Sequence, residues 1–79
     1  MQTRTRALLL AITTVAALTA MGTAAPQLKV HMQAALRVGA SRQEIVETLL
    51  QMIPYAGFPA ALNGVTIARE VFASQPAGA

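Results

Sequence analysis

The sequence predicts an all-α protein, a small bundle of about four helices, and three observations support this prediction. Apolar residues recur at helical spacing, glycine and proline divide the chain into segments of helical length, and no segment alternates like a strand. The 79 residues make one domain, of which 54% are hydrophobic and 11% are charged. A chain this short buries only about 60% of the surface that its unfolded form exposes. We therefore expect identical chains to cover the excess apolar surface and complete the core by oligomerisation.

The first predicted helix runs from Thr5 to Met21 and ends at Gly22, which can take the left-handed conformation of a helix C-terminus. It is apolar on nearly every side, which in a soluble protein indicates burial on several sides. The same segment also looks like a secretory signal, because Arg4 and Arg6 precede an apolar run that ends in small residues. The run is short for a membrane span. We favour a buried helix in a cytoplasmic protein without membrane association, and keep export as the alternative.

The second predicted helix has Pro26 in its first turn and runs to Val38, before Gly39. Lys29 and Arg37 lie on its polar face, and His31 falls at the edge of the apolar face. The residues of that apolar face are Leu28, Met32, Ala35 and Leu36.

The third predicted helix begins at the capping box Ser41-Arg-Gln-Glu44, in which each side chain accepts a hydrogen bond from the other residue's backbone. Pro54 removes a backbone hydrogen bond, so we expect a kink or an end of this helix near Tyr55. Gly57-Phe-Pro59 then restarts the chain as the fourth helix. This helix carries small residues every four positions, which leave a groove where another helix can approach closely: Ala60, Gly64 and Ala68. Residues 74–79 are a Pro/Gly/Ala tail that we expect to be disordered.

Composition excludes several classes of function. The chain has no cysteine, so it can form no disulfide, thiolate nucleophile or thiolate metal site. One histidine and three scattered glutamates provide no clustered metal ligands, and we expect no cofactor. The net charge of +3 is spread along the chain rather than collected in a basic stripe, so nucleic-acid binding is not expected. A mildly positive pocket suits a small anionic substrate better.

His31 is the natural candidate for proton transfer, because histidine is the residue type that ordinarily exchanges a proton near neutral pH. A lone histidine at a helix edge is, however, more often a packed or solvated residue. Tyr55 has two interpretations in the same way. Its phenol can reach a ligand, or its ring can cover the core with the hydroxyl at the rim.

Two stretches resemble the carboxymuconolactone decarboxylase family, small all-α proteins related to the alkylhydroperoxidase-type disulfide enzymes. They are residues 28–47, which contain His31, and Tyr55-Ala-Gly-Phe-Pro-Ala-Ala-Leu-Asn-Gly64. The resemblance covers residues 5–73, which we take as the domain. It implies an alkylhydroperoxidase-like helical fold and a homo-oligomer, which we expect to be a trimer or a hexamer.

The resemblance also implies an activity, the cofactor-free decarboxylation of 4-carboxymuconolactone in aromatic catabolism. His31 falls on the family's histidine position and would be the proton donor. Thr5-Arg6 resembles the family's Thr-Arg pair, so Arg6 would bind a substrate carboxylate; on general grounds the alternative for Arg6 is a solvated surface residue. Tyr55 is a second substrate-binding candidate on the strength of its phenol alone. The lactone would supply its own electron sink, so neither a metal nor an organic cofactor would be needed.

The missing glutamate and the missing leading helices leave an alternative open, and the absence of cysteine limits the chemistry. The related hydroperoxidases use Cys-x-x-Cys-x-x-x-His, and the two cysteine positions before His31 hold Ala24 and Gln27, which excludes thiol peroxidase chemistry. The family also has a glutamate where Ala7 stands. The helices that precede this region in the family's full-length decarboxylases do not appear in this sequence. The alternative is therefore a catalytically inactive or truncated member that acts as an assembly subunit.

Overall fold

A computed structural model describes residues 2–75, and every regular element among them is an α-helix. The predicted all-α bundle is confirmed, with one short helix added to the four that were predicted. The helices are α1 (Thr3–Met21), α2 (Ala25–Arg37), α3 (Arg42–Gln51), α4 (Ile53–Ala56) and α5 (Phe58–Ser74). The predicted disordered tail began at Ser74, but Ser74 ends α5; residues 76–79 lie outside the described part of the chain.

The ends of the first two helices follow the local sequence signals. Gly22 has a φ of 72°, and its N–H donates to the carbonyl of Thr19 at 3.2 Å, so the predicted glycine stop of α1 is confirmed. α1 begins at Thr3, two residues before the predicted start. Pro26 lies in the first turn of α2 as predicted, where a proline loses no helical hydrogen bond.

The predicted capping box at the start of α3 is confirmed. The Ser41 Oγ accepts the N–H of Glu44 at 3.0 Å, and the Glu44 Oε1 accepts the N–H of Ser41 at 2.8 Å. Both groups would otherwise lack a partner at this helix end.

Replacing Ser41 with alanine is expected to lower the free energy of unfolding by about 0.5–2 kcal/mol, because the Glu44 N–H loses its acceptor. Chemical denaturation followed by circular dichroism measures this loss. Glu44→Gln is the matched control, since glutamine also completes a capping box. Equal stability of Ser41→Ala and the parent chain would contradict the prediction.

The prediction of a kink or an end near Tyr55 placed the break too late. α3 ends at Gln51, and Pro54 lies in the first turn of α4. The reason is that a proline without an N–H is tolerated at the start of a helix as well as after its end. The break therefore falls at Met52, before the proline, and α4 adds one helical turn.

Gly57 joins α4 to α5 with a φ of 87° and a ψ of 162°, a conformation that is essentially restricted to glycine. A Cβ at Gly57 would meet only the Pro59 Cδ, at an ordinary 3.7 Å. The backbone conformation, not crowding, is what requires glycine here.

Gly57→Ala is therefore expected to cost about 1–3 kcal/mol of unfolding free energy. Thermal and chemical denaturation measure it. Gly22→Asn is the control, because the left-handed conformation of Gly22 is one that asparagine also adopts. If Gly57→Ala were no less stable than Gly22→Asn, the assigned backbone conformation would be wrong.

The core lies where α1, α2, α3 and α5 meet. Its largest fully buried side chains are Met32, Ile45, Leu49, Val15, Val71 and Thr19. Gly64 of α5 is the point of closest approach: a Cβ there would lie 2.9 Å from the Leu49 Cδ2 and 3.3 Å from the Thr19 Cγ2. The predicted small-residue groove on the last helix is confirmed, since side chains from α1 and α3 enter it.

Arg42 also connects α3 to α5, with its guanidinium 5.4 Å from the centre of the Phe72 ring.

α1 is buried on one side only, so the prediction of burial on several sides is wrong for a single chain. Val15 and Thr19 are its buried residues, whereas Leu10 is 62% exposed and Met21 is 60% exposed. The helix is long and apolar enough to cross a membrane by length and composition, a test that core helices and signal sequences also pass. The expectation that this run is too short for a span therefore has no support from its observed length. The exposed apolar surface is what the predicted oligomer would have to cover.

Threonine hydroxyls in the helices donate to the backbone carbonyl four residues earlier. In α1, Thr13 donates to Leu9 at 2.7 Å and Thr19 donates to Val15 at 2.7 Å. In α3, Thr48 donates to Glu44 at 2.8 Å. Within residues 2–75, every buried side-chain nitrogen or oxygen has a hydrogen-bond partner.

Candidate functional site

His31 lies on α2, on the flank of the stripe that faces the core. Leu28, Met32 and Ala35 turn inward and are at most 3% exposed, while His31 itself is exposed. The edge position predicted by helical spacing therefore becomes a solvent-accessible one. His31, Pro26, Gln27 and Val30 line a shallow depression of about 210 Å³.

The depression at His31 is built from neighbouring turns of one helix. Gln27 precedes His31 by four residues, so the two side chains lie on the same side of α2. Val30 is 56% exposed and gives the depression an apolar floor. Its lining contains neither a carboxylate nor a second cation. A ligand can reach the imidazole here, but one chain does not enclose it.

Arg6 and Tyr55, the other two predicted site residues, do not line the depression at His31. Arg6 is exposed in the first turns of α1. Tyr55 is 75% exposed on α4, so its ring does not cover the core of a single chain. α4 packs against α1, α3 and α5, whereas α2 packs against α1 and α5. The three predicted residues thus lie on three helices.

A second pocket, of about 230 Å³, lies where the end of α1 and the start of α2 meet α5. Ala24, Ala60 and Gly64 leave the space, and Asn63 and Thr66 add polar groups to the lining. Our sequence reasoning missed it, although the small residues on the fourth predicted helix were the available signal. Ala24, which lines this pocket, occupies the position of the first cysteine of the hydroperoxidase motif.

A third and larger cavity, of about 610 Å³, runs between α1 and α3, and we call it the α1/α3 groove. α1 contributes an apolar wall, and α3 contributes polar and acidic side chains. The lining includes Leu8, Leu9 and Ile12 from α1 and Glu44, Glu47 and Thr48 from α3. Sequence reasoning missed the groove, because only the packing of α1 on α3 creates it.

A cation from α1 lies beside the C-terminal end of α2. Arg4 lies at the C-terminal end of α2, where a guanidinium Nη is 3.3 Å from the position of a Cβ on Gly39. A cation there is favourable, because the last carbonyls of a helix carry partial negative charge. Among residues 2–75, no three His, Asp or Glu side chains come together as metal ligands.

Comparison with known proteins assigns the chain to a class. The sequence profile of the carboxymuconolactone decarboxylase family matches residues 5–70, and the matched region contains the whole of α2 and α3. The chain therefore belongs to the carboxymuconolactone decarboxylase family, and the resemblance drawn from the residues around His31 is confirmed.

A particular relative comes from Paracoccus denitrificans and is described as "Uncharacterized 15.0 kDa protein in nqo9-nqo10 intergenic region". It is 40% identical over 63 residues, which make up 78% of this chain and 47% of that protein. The chain thus spans about half the length of the curated relative that it matches.

Proposed function

We propose that this protein is a carboxy-lyase that removes carbon dioxide from a small carboxylated lactone without a cofactor, with His31 as the proton donor. Membership of the carboxymuconolactone decarboxylase family supports the reaction class. The single structural observation that carries the proposal is the open depression that holds the His31 imidazole, which a ligand of this size can approach.

The reaction asks little of the protein chemically. The bond between the carboxylate carbon and the lactone ring breaks, and its electron pair is delocalised into the conjugated lactone carbonyl. Carbon dioxide leaves, and a protonated His31 gives its proton to a ring carbon, which yields the enol-lactone. The imidazole then regains a proton from water. The protein must hold the carboxylates and the ring in position while this proton is delivered.

A second chain is required by this proposal. The depression at His31 has no cation for the carboxylates and no wall that excludes water. Arg6 and Tyr55, the proposed substrate-binding residues, are exposed on other helices. We propose that a homo-oligomer, a trimer or a hexamer, brings such groups to His31, since the exposed apolar side chains of α1 need a covering surface.

Ultraviolet absorbance tests the activity directly. Purified protein is mixed with 4-carboxymuconolactone, and both loss of the lactone and release of carbon dioxide are followed. One carbon dioxide released for each lactone consumed, at a rate proportional to protein concentration, is the expected result. Absence of turnover by the fully assembled protein would overturn the lyase proposal.

A second proposed function is an inactive assembly subunit. Two observations favour it: Ala7 replaces the glutamate of the family pattern, and the lining of the depression at His31 contains no acidic residue. Pull-down from the native cells would then recover a longer family member, and the purified chain would form a homo-oligomer that does not turn over the lactone.

We also propose a cytoplasmic location. The family match extends from residue 5 through the small residues at which a signal peptide would be cleaved. Sequencing of the N-terminus of the protein isolated from cells tests this. A mature chain that begins near Ala25 or Pro26 would show export instead.

A further inference from the structure

The α1/α3 groove combines an apolar wall with an uncompensated negative charge. Leu9, on the wall, is 50% exposed. Glu44 is already engaged, because its carboxylate accepts the Ser41 N–H in the capping box. Glu47 forms no hydrogen bond or ion pair with any residue from 2 to 75. A partner that fills this groove therefore needs an apolar group and a cation or a hydrogen-bond donor.

The outer face of α2 has that chemistry. Opposite the buried stripe, Val30 is 56% exposed, and two exposed residues follow it along the helix, His31 directly after it and Arg37 two turns further on. An apolar side chain followed on the same helix by an imidazole and a guanidinium complements an apolar groove with a free carboxylate. Both surfaces belong to the same chain, so a second copy is an occupant that is always available.

Pairing of the groove with itself is disfavoured. A two-fold axis through the groove would bring Glu44 and Glu47 of both copies together, and like charges at close range are repulsive. Contact between two different surfaces avoids this repulsion. A contact of that kind repeats from copy to copy and closes into a ring when the rotation allows it.

We propose that the α1/α3 groove of one copy receives the outer face of α2 of the next copy, and that Glu47 thereby lies beside His31 across the interface. This inference deepens the proposed function, because it supplies from a neighbour the carboxylate that the depression at His31 lacks. Glu47 would hold the imidazole in place by a hydrogen bond and so act as a positioning residue. The interface itself can exist whether or not the protein turns over the lactone.

Cross-linking between copies tests the arrangement. The chain has no cysteine, so single cysteines can be placed without background. Val30→Cys marks the outer face of α2, and Gln51→Cys marks the groove lining, and both variants keep His31 and Glu47. Each is purified alone, and the two are mixed with a short bismaleimide. Glu70→Cys, on the exposed side of α5, is the matched control for Gln51→Cys.

Rapid cross-linking in the mixture of Val30→Cys with Gln51→Cys, and little in the mixture with Glu70→Cys, is the expected result. Cross-linking of Gln51→Cys chains to each other as fast as to Val30→Cys chains would overturn the proposal in favour of a two-fold contact at the groove. Cross-linking of Val30→Cys to Glu70→Cys at the same rate as to Gln51→Cys would also overturn it.

Sedimentation analysis supplies a second readout that does not depend on activity. Glu47→Lys is expected to weaken association by about tenfold or more, because it places a cation against His31 and Arg37. Glu70→Lys changes the charge of the chain by the same amount outside the groove and is expected to leave association unchanged. Equal effects of the two variants, or a parent chain that is monomeric and binds anionic lipid vesicles through α1, would overturn the proposal. An assembled but inactive parent chain would remove the lyase proposal and leave the interface standing.

Discussion

Replacing His31 with glutamine is expected to lower kcat for the lactone by about 10²–10⁴-fold, the usual contribution of a positioned general acid. Glutamine retains a polar side chain of similar reach but cannot deliver a proton to carbon. Because His31 is exposed and its ring is not part of the core, the variant is expected to fold like the parent chain, and any weaker association through the proposed contact with Glu47 is read from sedimentation. Steady-state rates measured by ultraviolet absorbance, with sedimentation of the same samples, check both halves of this expectation.

Lys29→Gln is the control for that experiment. Lys29 is also exposed on α2 but does not line the depression at His31, so its loss removes a charge without removing the proposed acid. We expect its kcat to stay close to that of the parent chain. Turnover that is the same in His31→Gln and the parent would remove His31 as the proton donor, whatever the reaction proves to be.

Replacing Leu49 with alanine is expected to lower the free energy of unfolding by about 2–5 kcal/mol. Leu49 is 0% exposed, and its Cδ2 fills the space that Gly64 leaves open on α5. Shortening it opens a cavity between α3 and α5 that these helices can close only in part. A loss of this size is a large part of the roughly 5–15 kcal/mol that keeps a typical domain folded.

Leu50→Ala is the matched control, because Leu50 is the next residue of α3 and is 51% exposed. Its effect on a single chain is expected to stay near 0.5 kcal/mol, as for other surface positions. Denaturant melts at equal protein concentration measure both variants, since association also contributes to apparent stability. Similar losses for Leu49→Ala and Leu50→Ala would mean that α3 is rotated from the orientation described.

Local signals in the sequence were sufficient for most helix ends. The Ser41 and Glu44 pair, Gly22, and Pro26 each act within one helical turn, so their effect does not depend on distant packing. The inward face of α2 was also predictable, because its apolar residues recur at helical spacing. The family resemblance drew on the same segment, and the match over residues 5–70 confirms it.

The outcome at other positions depends on packing that one sequence does not reveal. Pro54 is compatible with ending one helix or starting the next, and in the structure it lies in the first turn of α4. Tyr55 was open between reaching a ligand and covering the core with its hydroxyl at the rim, and it is exposed on α4. α1 has apolar residues all round, so its pattern does not indicate which side faces the core; the structure buries Val15 and Thr19.

Of the candidate site, the sequence predicted His31 but not the residues that surround its ring. The position of His31 follows from helical spacing and from the family's histidine position. No short-range signal in the chain indicates whether Arg6, Tyr55 or Glu47 reaches that ring, and in a single chain none of the three lines its depression.

The threonines that line the α1/α3 groove affect how many hydrogen-bond donors it offers to a partner. Thr13 and Thr48 each donate their hydroxyl proton within their own helix, at 2.7 Å and 2.8 Å, so neither has that proton available for a partner in the groove. The groove therefore offers fewer hydrogen-bond donors than its polar residue types suggest. Recognition of a partner would then depend on the shape of the groove and on Glu44 and Glu47. Valine in place of either threonine is expected to leave binding of that partner almost unchanged.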